Sequence, residues 1–286
     1  MSQLSTKTRV TRQRRALILF AAGLIALTAL FALPSSARPA GHEKADSPKP
    51  TIVLVHGDWA DASSWSTEIQ RLQSRGYTVV APPNPLRGPT EDSAYLASYL
   101  QTITGPIVLV AHSYGGFVIT NAATGNNNVK ALVYIDAFIP NTNDTLGSLT
   151  HDSGSCIDSN NAFNPVPVPG GVVDLYLRTE PNPPYQGFDD CFANGVNPPT
   201  AALLAATQRP AALNQLFEPS GPPAWQMIPS WSLIGTQDNV IPPALQEMMS
   251  ERAGAHISTV KAGHLSLITR PESVTNTILD AVEATT

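Results

Sequence analysis

Cysteine is nearly absent from this chain. Only Cys156 and Cys191 occur in 286 residues, and neither belongs to a Cys-x-x-Cys pair or lies beside a histidine cluster. With no zinc-type ligand spacing, no metal is expected. Charge is also scarce, at 14% of residues, and acidic side chains outnumber basic ones 22 to 17. Such a surface repels nucleic acid and anionic membranes, which leaves a small molecule as the expected partner and excludes nucleic acid. No internal repeat breaks the chain into an array, and the length suits one sizeable domain.

Acidic residues are missing altogether from residues 1–15, which carry Lys7, Arg9, Arg12, Arg14 and Arg15. Ala16 to Leu33 is then an unbroken apolar and small-residue run, closed by Pro34-Ser35-Ser36-Ala37. That order describes an export signal over residues 1–37, cut after Ala37. The run is just long enough to span a bilayer, so an uncleaved membrane anchor is the competing reading. Arg14-Arg15 admits twin-arginine as well as general export. Cleavage predicts a protein of the cell envelope or the exterior, without stable membrane association. Its formal net charge would be about −10, since five basic residues leave with the signal. In an oxidising compartment Cys156 and Cys191 read as a disulfide, with two separate buried thiols as the alternative.

Residues 38–50 are rich in proline and charge and read as a linker. Regular patterning starts at Thr51. Thr51–His56, Tyr77–Ala81, Pro106–Val110 and Val129–Ile135 read as apolar strands. Between them, Ala62–Arg75, Glu91–Ile103 and a segment reaching about Thr124 read as helices. Strands apolar throughout and separated by single helices predict an α/β fold: a mostly parallel sheet covered by helices on both faces. Residues 140–228 lose this regularity, hold both cysteines and are rich in proline. They are too long for an ordinary loop and are expected to form a cap subdomain inserted between two core strands. Regular patterning returns with strands at Ser230–Gly235 and His256–Val260 and helices at Pro242–Arg252 and Pro271–Val282.

The chemistry-bearing stretch is Ile107-Val108-Leu109-Val110-Ala111-His112-Ser113-Tyr114-Gly115-Gly116. An apolar strand stops at a serine flanked by small residues, and a helical pattern follows at once. This is the form of a nucleophile elbow, with Ala111 where the usual pattern has glycine. A serine nucleophile needs a base and an acid to orient that base. His264, in the loop after the last strand, supplies the base. Asp238, in the Gly235-Thr236-Gln237-Asp238 loop after the preceding strand, supplies the acid. Asp136, at the end of the fourth strand, is the rival acid. All of these lie at the carboxyl ends of strands, where ligands bind in open α/β sheets.

The order Ser113, Asp238, His264, together with Leu54-Val55-His56-Gly57-Asp58-Trp59 and Gly263-His264, resembles the α/β-hydrolase superfamily over nearly all of residues 51–284. The group of small esterases, plant methyl esterases and hydroxynitrile lyases is the most similar. The resemblance implies a serine hydrolase of carboxylic esters that works through an acyl-enzyme and needs no cofactor, and the signal at residues 1–37 adds that it is exported. It implies that the backbone N–H groups of Asp58 and Tyr114 form the oxyanion hole, the Asp58 side chain pointing away. Trp59, Phe138 and Leu265 are expected pocket walls because each adjoins a catalytic loop. His56 and His112 are read as structural, and His151 and His256 as histidines without acidic partners. Other readings of this fold are a hydroxynitrile lyase, a perhydrolase or a non-catalytic small-molecule binder. Leu265 stands where the lyases carry a lysine, which argues against the first. The ester itself and the oligomeric state stay open.

Overall fold

The computed structural model describes residues 48–285 apart from Ser159. The expected export signal and most of the linker lie outside the described residues. The first half alternates strand and helix: β1 (Thr51–Val55), α1 (Ser66–Gln73), β2 (Thr78–Val80), α2 (Pro89–Leu100), β3 (Ile107–Ser113), α3 (Gly115–Ala122) and β4 (Val129–Ala137). The middle holds α4 (Leu146–Thr150), β5 (Phe163–Pro167), β6 (Val173–Leu177), α5 (Phe188–Cys191), α6 (Pro198–Ala206) and β7 (Ala211–Ala212). Alternation then resumes with β8 (Ser230–Gly235), α7 (Pro243–Arg252), β9 (His256–Val260), α8 (Ser266–Thr269) and α9 (Pro271–Thr285).

Six strands form one parallel sheet in the order β2-β1-β3-β4-β8-β9. This is an α/β-hydrolase fold. β1, β3, β4 and β8 are buried almost throughout, which is why their sequences run apolar without alternation. The chain moves one way from β1 to β2, then returns past β1 to β3. Right-handed crossovers therefore put α1 and α2 on opposite faces. α1 packs with α9, and α2 with α3, completing the two covers. β9 is a sheet edge, and four of its five residues are exposed.

The reversal of strand order between β1 and β3 opens a crevice at the carboxyl ends of those strands, the usual ligand position in such sheets. The loop after β1 and the turn after β3 meet there. Gly57 is required by that meeting, since a Cβ on it would lie 2.6 Å from the Ser113 Cβ. At Gly116, in the first turn of α3, an added Cβ would collide with the Phe138 carbonyl.

The residues between β4 and β8, whose sequence shows little periodicity, hold a three-stranded antiparallel sheet, β5-β6-β7. The signal was masked because β5 carries Pro165 and Pro167, which cannot donate to a ladder. β5 is an edge strand and tolerates them. Cys156 and Cys191 are joined by a disulfide, with Cα atoms 5.7 Å apart and a sequence separation of 35. Both sides of this bridge touch the loop after β8: Cys156 N–H donates to Asn239 O (2.8 Å) and Asn239 Nδ2 donates to Asp190 O (2.8 Å). Among the described residues no helix is long and apolar enough to cross a membrane.

Replacing both cysteines by serine is expected to cost about 3–4 kcal/mol, the chain-entropy value for a loop of this size. The loss should appear as a lower midpoint of chemical unfolding under oxidising conditions. An unchanged midpoint would show that the bridge does not restrain the unfolded chain.

Candidate active site

Ser113 is the last residue of β3 and has φ 55°, a backbone region that non-glycine residues seldom occupy. The strain, of order 1–3 kcal/mol, is held by packing on every side. Ala111 is fully buried within β3, paired with Val55 and Tyr134, and its small side chain fits the narrow space under the turn.

Three side chains from three loops meet in one hydrogen-bonded chain. His264 Nε2 lies 2.9 Å from Ser113 Oγ, and His264 Nδ1 lies 2.9 Å from Asp238 Oδ2. A carboxylate only accepts, so Nδ1 carries the proton and Nε2 accepts from the serine hydroxyl. Asp238 is oriented by four donors: Val240 N–H and Ile241 N–H on Oδ1, Gln246 Nε2 and His264 Nδ1 on Oδ2. Burial raises the Asp238 pKa, and the Ile241, Val240 and Gln246 donors oppose that rise. Burial alone lowers His264 to about 3, so its ring stays neutral and able to take a proton. The His264 backbone is clamped as well, its N–H donating to Asn194 Oδ1 (3.3 Å) and its carbonyl accepting from His112 Nε2 (2.9 Å).

Asp136, the rival acid, is fully buried but turned elsewhere. Its Oδ1 accepts from Gly235 N–H (2.7 Å) and its Oδ2 from Ser266 N–H (3.1 Å). It pins the end of β8 and the start of α8, the segments flanking Asp238 and His264. Burial raises its pKa, and the neighbouring Asp238 raises it further.

Asp58 follows Gly57, which packs against Ser113, and Tyr114 is the next residue after Ser113; among the described residues no backbone carbonyl accepts from the N–H of either. Tyr114 immediately precedes α3, where helical N–H groups favour negative charge. Its phenol donates to Asp92 Oδ2 (2.7 Å). His56 supports this loop: its Nδ1 donates to Gly57 O (2.9 Å), its Nε2 accepts from Asn84 N–H (3.0 Å), and burial lowers its pKa to about 4.

A cavity of about 330 Å³ opens over Ser113. Trp59 and Phe138 line it and Leu265 does not; Leu265 is buried where its carbonyl starts α8. Asp58 is among the lining residues, and the Asp58 carboxyl is held by the buried Gln215, whose Nε2 donates to Oδ2 (2.6 Å). His151, read as unpartnered, lies 3.5 Å from Asp152 and 3.8 Å from Asp158, all three exposed. Gln215, Gln246 and Asn194 carried no sequence signal: each is a single amide whose partner is distant or ordinary in sequence.

The inserted segment packs on residues of this site. Trp59 Nε1 donates to Leu175 O in β6 (2.9 Å), and the Trp59 ring packs on Phe163 and Phe192. Phe192 in turn lies 5.3 Å from the His264 ring.

A sequence model of the alpha/beta hydrolase family matches residues 52–277. A carbendazim hydrolyzing esterase from Nocardioides sp. (strain SG-4G) is 31% identical over 111 residues, covering 34% of this chain and 46% of that protein. The chain thus spans about half the length of that curated relative. An extracellular alpha/beta-hydrolase from a Paenibacillus species superposes with a TM-score of 0.64 at 23% identity, covering 81% of this chain and 98% of the other. A pyrethroid hydrolase from Sphingobium faniae JZ-2 superposes with a TM-score of 0.66 at 20% identity, covering 82% and 98%. At these identities the two structures show a common fold.

Gly116→Ala is expected to destabilise the protein by about 1–3 kcal/mol, the usual cost of overpacking. It should also lower the rate of any reaction at Ser113, because relief of the collision moves α3 against the Phe138 segment that follows β4. Thermal unfolding together with a rate assay on the folded fraction checks both effects.

Proposed function

The chain belongs to the alpha/beta hydrolase family, and we propose that it is a serine esterase cleaving small carboxylic esters through Ser113, His264 and Asp238. The observation that carries this reading is the unbroken hydrogen-bond chain from Asp238 through His264 to Ser113, ending under a cavity. Hydrolase and esterase names among its relatives support ester cleavage as the reaction class.

In this reading His264 Nε2 takes the Ser113 proton while Oγ attacks the ester carbonyl carbon. The N–H groups of Asp58 and Tyr114 hold the oxyanion, and Asp238 stabilises the imidazolium. Collapse of the intermediate expels the alcohol, which receives the proton from His264 and leaves Ser113 acylated. Water then attacks the acyl carbonyl with His264 again as base, releasing the acid and restoring the serine. Asp136 acts as a positioning residue in this scheme, since Gly235 and Ser266 N–H groups occupy its carboxylate. We assign residues 140–228 the role of a cap that shapes the ester pocket. Thr145, Leu146, Ile157, Phe163 and Phe217 of that segment line the cavity, which supports the assignment. Export rests on the basic, apolar and small-residue order of residues 1–37, and the disulfide accords with an oxidising destination.

A fluorophosphonate probe is expected to label Ser113 and to leave Ser113→Ala unlabelled; persistent labelling in that variant would sink the assignment. Asp238→Asn should reduce kcat for p-nitrophenyl butyrate by about 10³–10⁴, the scale seen when a triad acid is neutralised. Asp136→Asn should act mainly on thermal stability, and a reversed ranking of the two in turnover would move the acid to Asp136.

The pH profile supplies a separate check. Burial disfavours the imidazolium, so His264 stays a neutral base as pH falls below the ordinary histidine value of 6.5 and is lost only as pH approaches about 3. The acid limb of kcat/KM is therefore expected well below pH 6.5. A limb at or above 6.5 would contradict a desolvated base.

A further inference from the structure

Asp58 is 5% exposed, and its N–H is one that the esterase reading gives to the oxyanion. Among the described residues its carboxyl has a single donor. The fully buried Gln215 reaches it from the inserted segment, with Nε2 on Oδ2 at 2.6 Å. The other oxygen of each side chain, Asp58 Oδ1 and Gln215 Oε1, is buried and without a partner among the described residues. With Asp58 ionised, both are acceptors with nothing to accept, a costly arrangement in a low dielectric. A proton on Asp58 makes its carboxyl a donor as well as an acceptor. A neutral acid and a primary amide are complementary in both senses.

The groups around Asp58 favour the same form. Asp92, fully buried in α2, accepts from Arg87 N–H (3.0 Å), Gly88 N–H (3.2 Å) and the Tyr114 phenol (2.7 Å). Two interacting buried carboxyls oppose each other's ionisation, and the one with more donors keeps the charge. Asp92 has three donors and Asp58 has one. Arg87, the cation of the group, pairs with Asp174 (2.8 Å). Tyr114 stays a neutral phenol, and burial keeps His56 and His264 neutral as well.

We infer that Asp58 serves this site as a neutral acid, and that its ionisation suppresses ester turnover by placing a second negative charge beside the developing oxyanion. The effect on turnover rests on the esterase reading; the protonation of Asp58 does not. Carboxyl and N–H belong to one residue, so covalent geometry keeps them within about 5 Å of each other. An anion at that range opposes the charge that the N–H is there to hold. Burial raises Asp58 to about 7, Gln215 and Arg87 oppose the rise and Asp92 adds to it, which brings its ionisation into the neutral range. Turnover is then confined between the acid limb of His264 and an alkaline fall set by Asp58.

The test follows kcat/KM for p-nitrophenyl butyrate from about pH 5 to about pH 9, corrected for uncatalysed hydrolysis and with folding monitored by circular dichroism. In the wild-type chain it is expected to fall roughly tenfold or more through one ionisation near 7. Asp58→Asn keeps the shape and the donor of the neutral acid and should lack the fall. Asp58→Ala should lack it too, and serves if the amide variant does not fold. An unbroken wild-type profile, or the same fall in a folded variant, would overturn the gate. Infrared spectra at the two ends of the pH range read the proton directly. A neutral-carboxyl band that the wild-type chain loses at high pH is expected to be missing from Asp58→Asn. Identical difference spectra for the two chains would overturn the neutral acid. If no ester is hydrolysed at any pH, the esterase reading fails and the gate with it, while the infrared result still decides the protonation of Asp58.

Discussion

Everything at the upper edge of the sheet depends on one steric constraint: the backbone of the loop after β1, the end of β3 and the start of α3 must pass within van der Waals contact of one another. Gly57 and Gly116 stand where a single methyl group would meet Ser113 or the Phe138 carbonyl. The close approach forces Ser113 into its positive φ and lifts its hydroxyl out of the sheet toward His264. The buried neighbours Ile52, Leu54, Val110 and Phe117 supply the packing that keeps the strained turn in place.

A second layer of order comes from buried carboxylates that accept backbone N–H groups. Asp136 joins β4 to the end of β8 and the start of α8, while Asp238 gathers the Val240 and Ile241 amides of its own loop. Both acids are buried, so losing a donor would leave an unpaired oxygen in a low dielectric. The histidine loop is thus held from below by Asp136 and from the side by Asn194 and His112. His264 keeps its geometry because each neighbouring segment is separately restrained.

The inserted segment extends this logic outward. Its disulfide, its contacts with Asn239 and Val240, and the Trp59–Leu175 hydrogen bond all converge on the loops that carry functional groups. Ion pairs at its flanks, Arg87 with Asp174 and Arg252 with Asp144, tie it to α2 and α7 neighbours. The same segment supplies much of the cavity wall, so pocket shape and loop rigidity are set together.

Much of this was readable in the chain as a string. Runs such as Ile107–Val110 announce buried parallel strands because both faces of such a strand need apolar side chains. Ser113, Asp238 and His264 stood out because each stands at or just past the carboxyl end of a strand. The serine also has the small neighbours that a tight turn demands. The middle sheet was hidden by the prolines of β5, and α8 by its four-residue length. The sequence alone determined the order of strands and helices and which polar residues stand at strand ends, since periodicity and local sterics are properties of neighbours along the chain. Only the tertiary structure decided that His264 bonds to Asp238 and not Asp136, that Leu265 lies outside the cavity lining, and that Gln215 holds the Asp58 carboxyl. Those outcomes rest on Gly235, Ser266, Gln246 and Gln215, partners up to 157 residues away, and a hydrogen bond of that reach exists only once the packed sheet has brought both ends together.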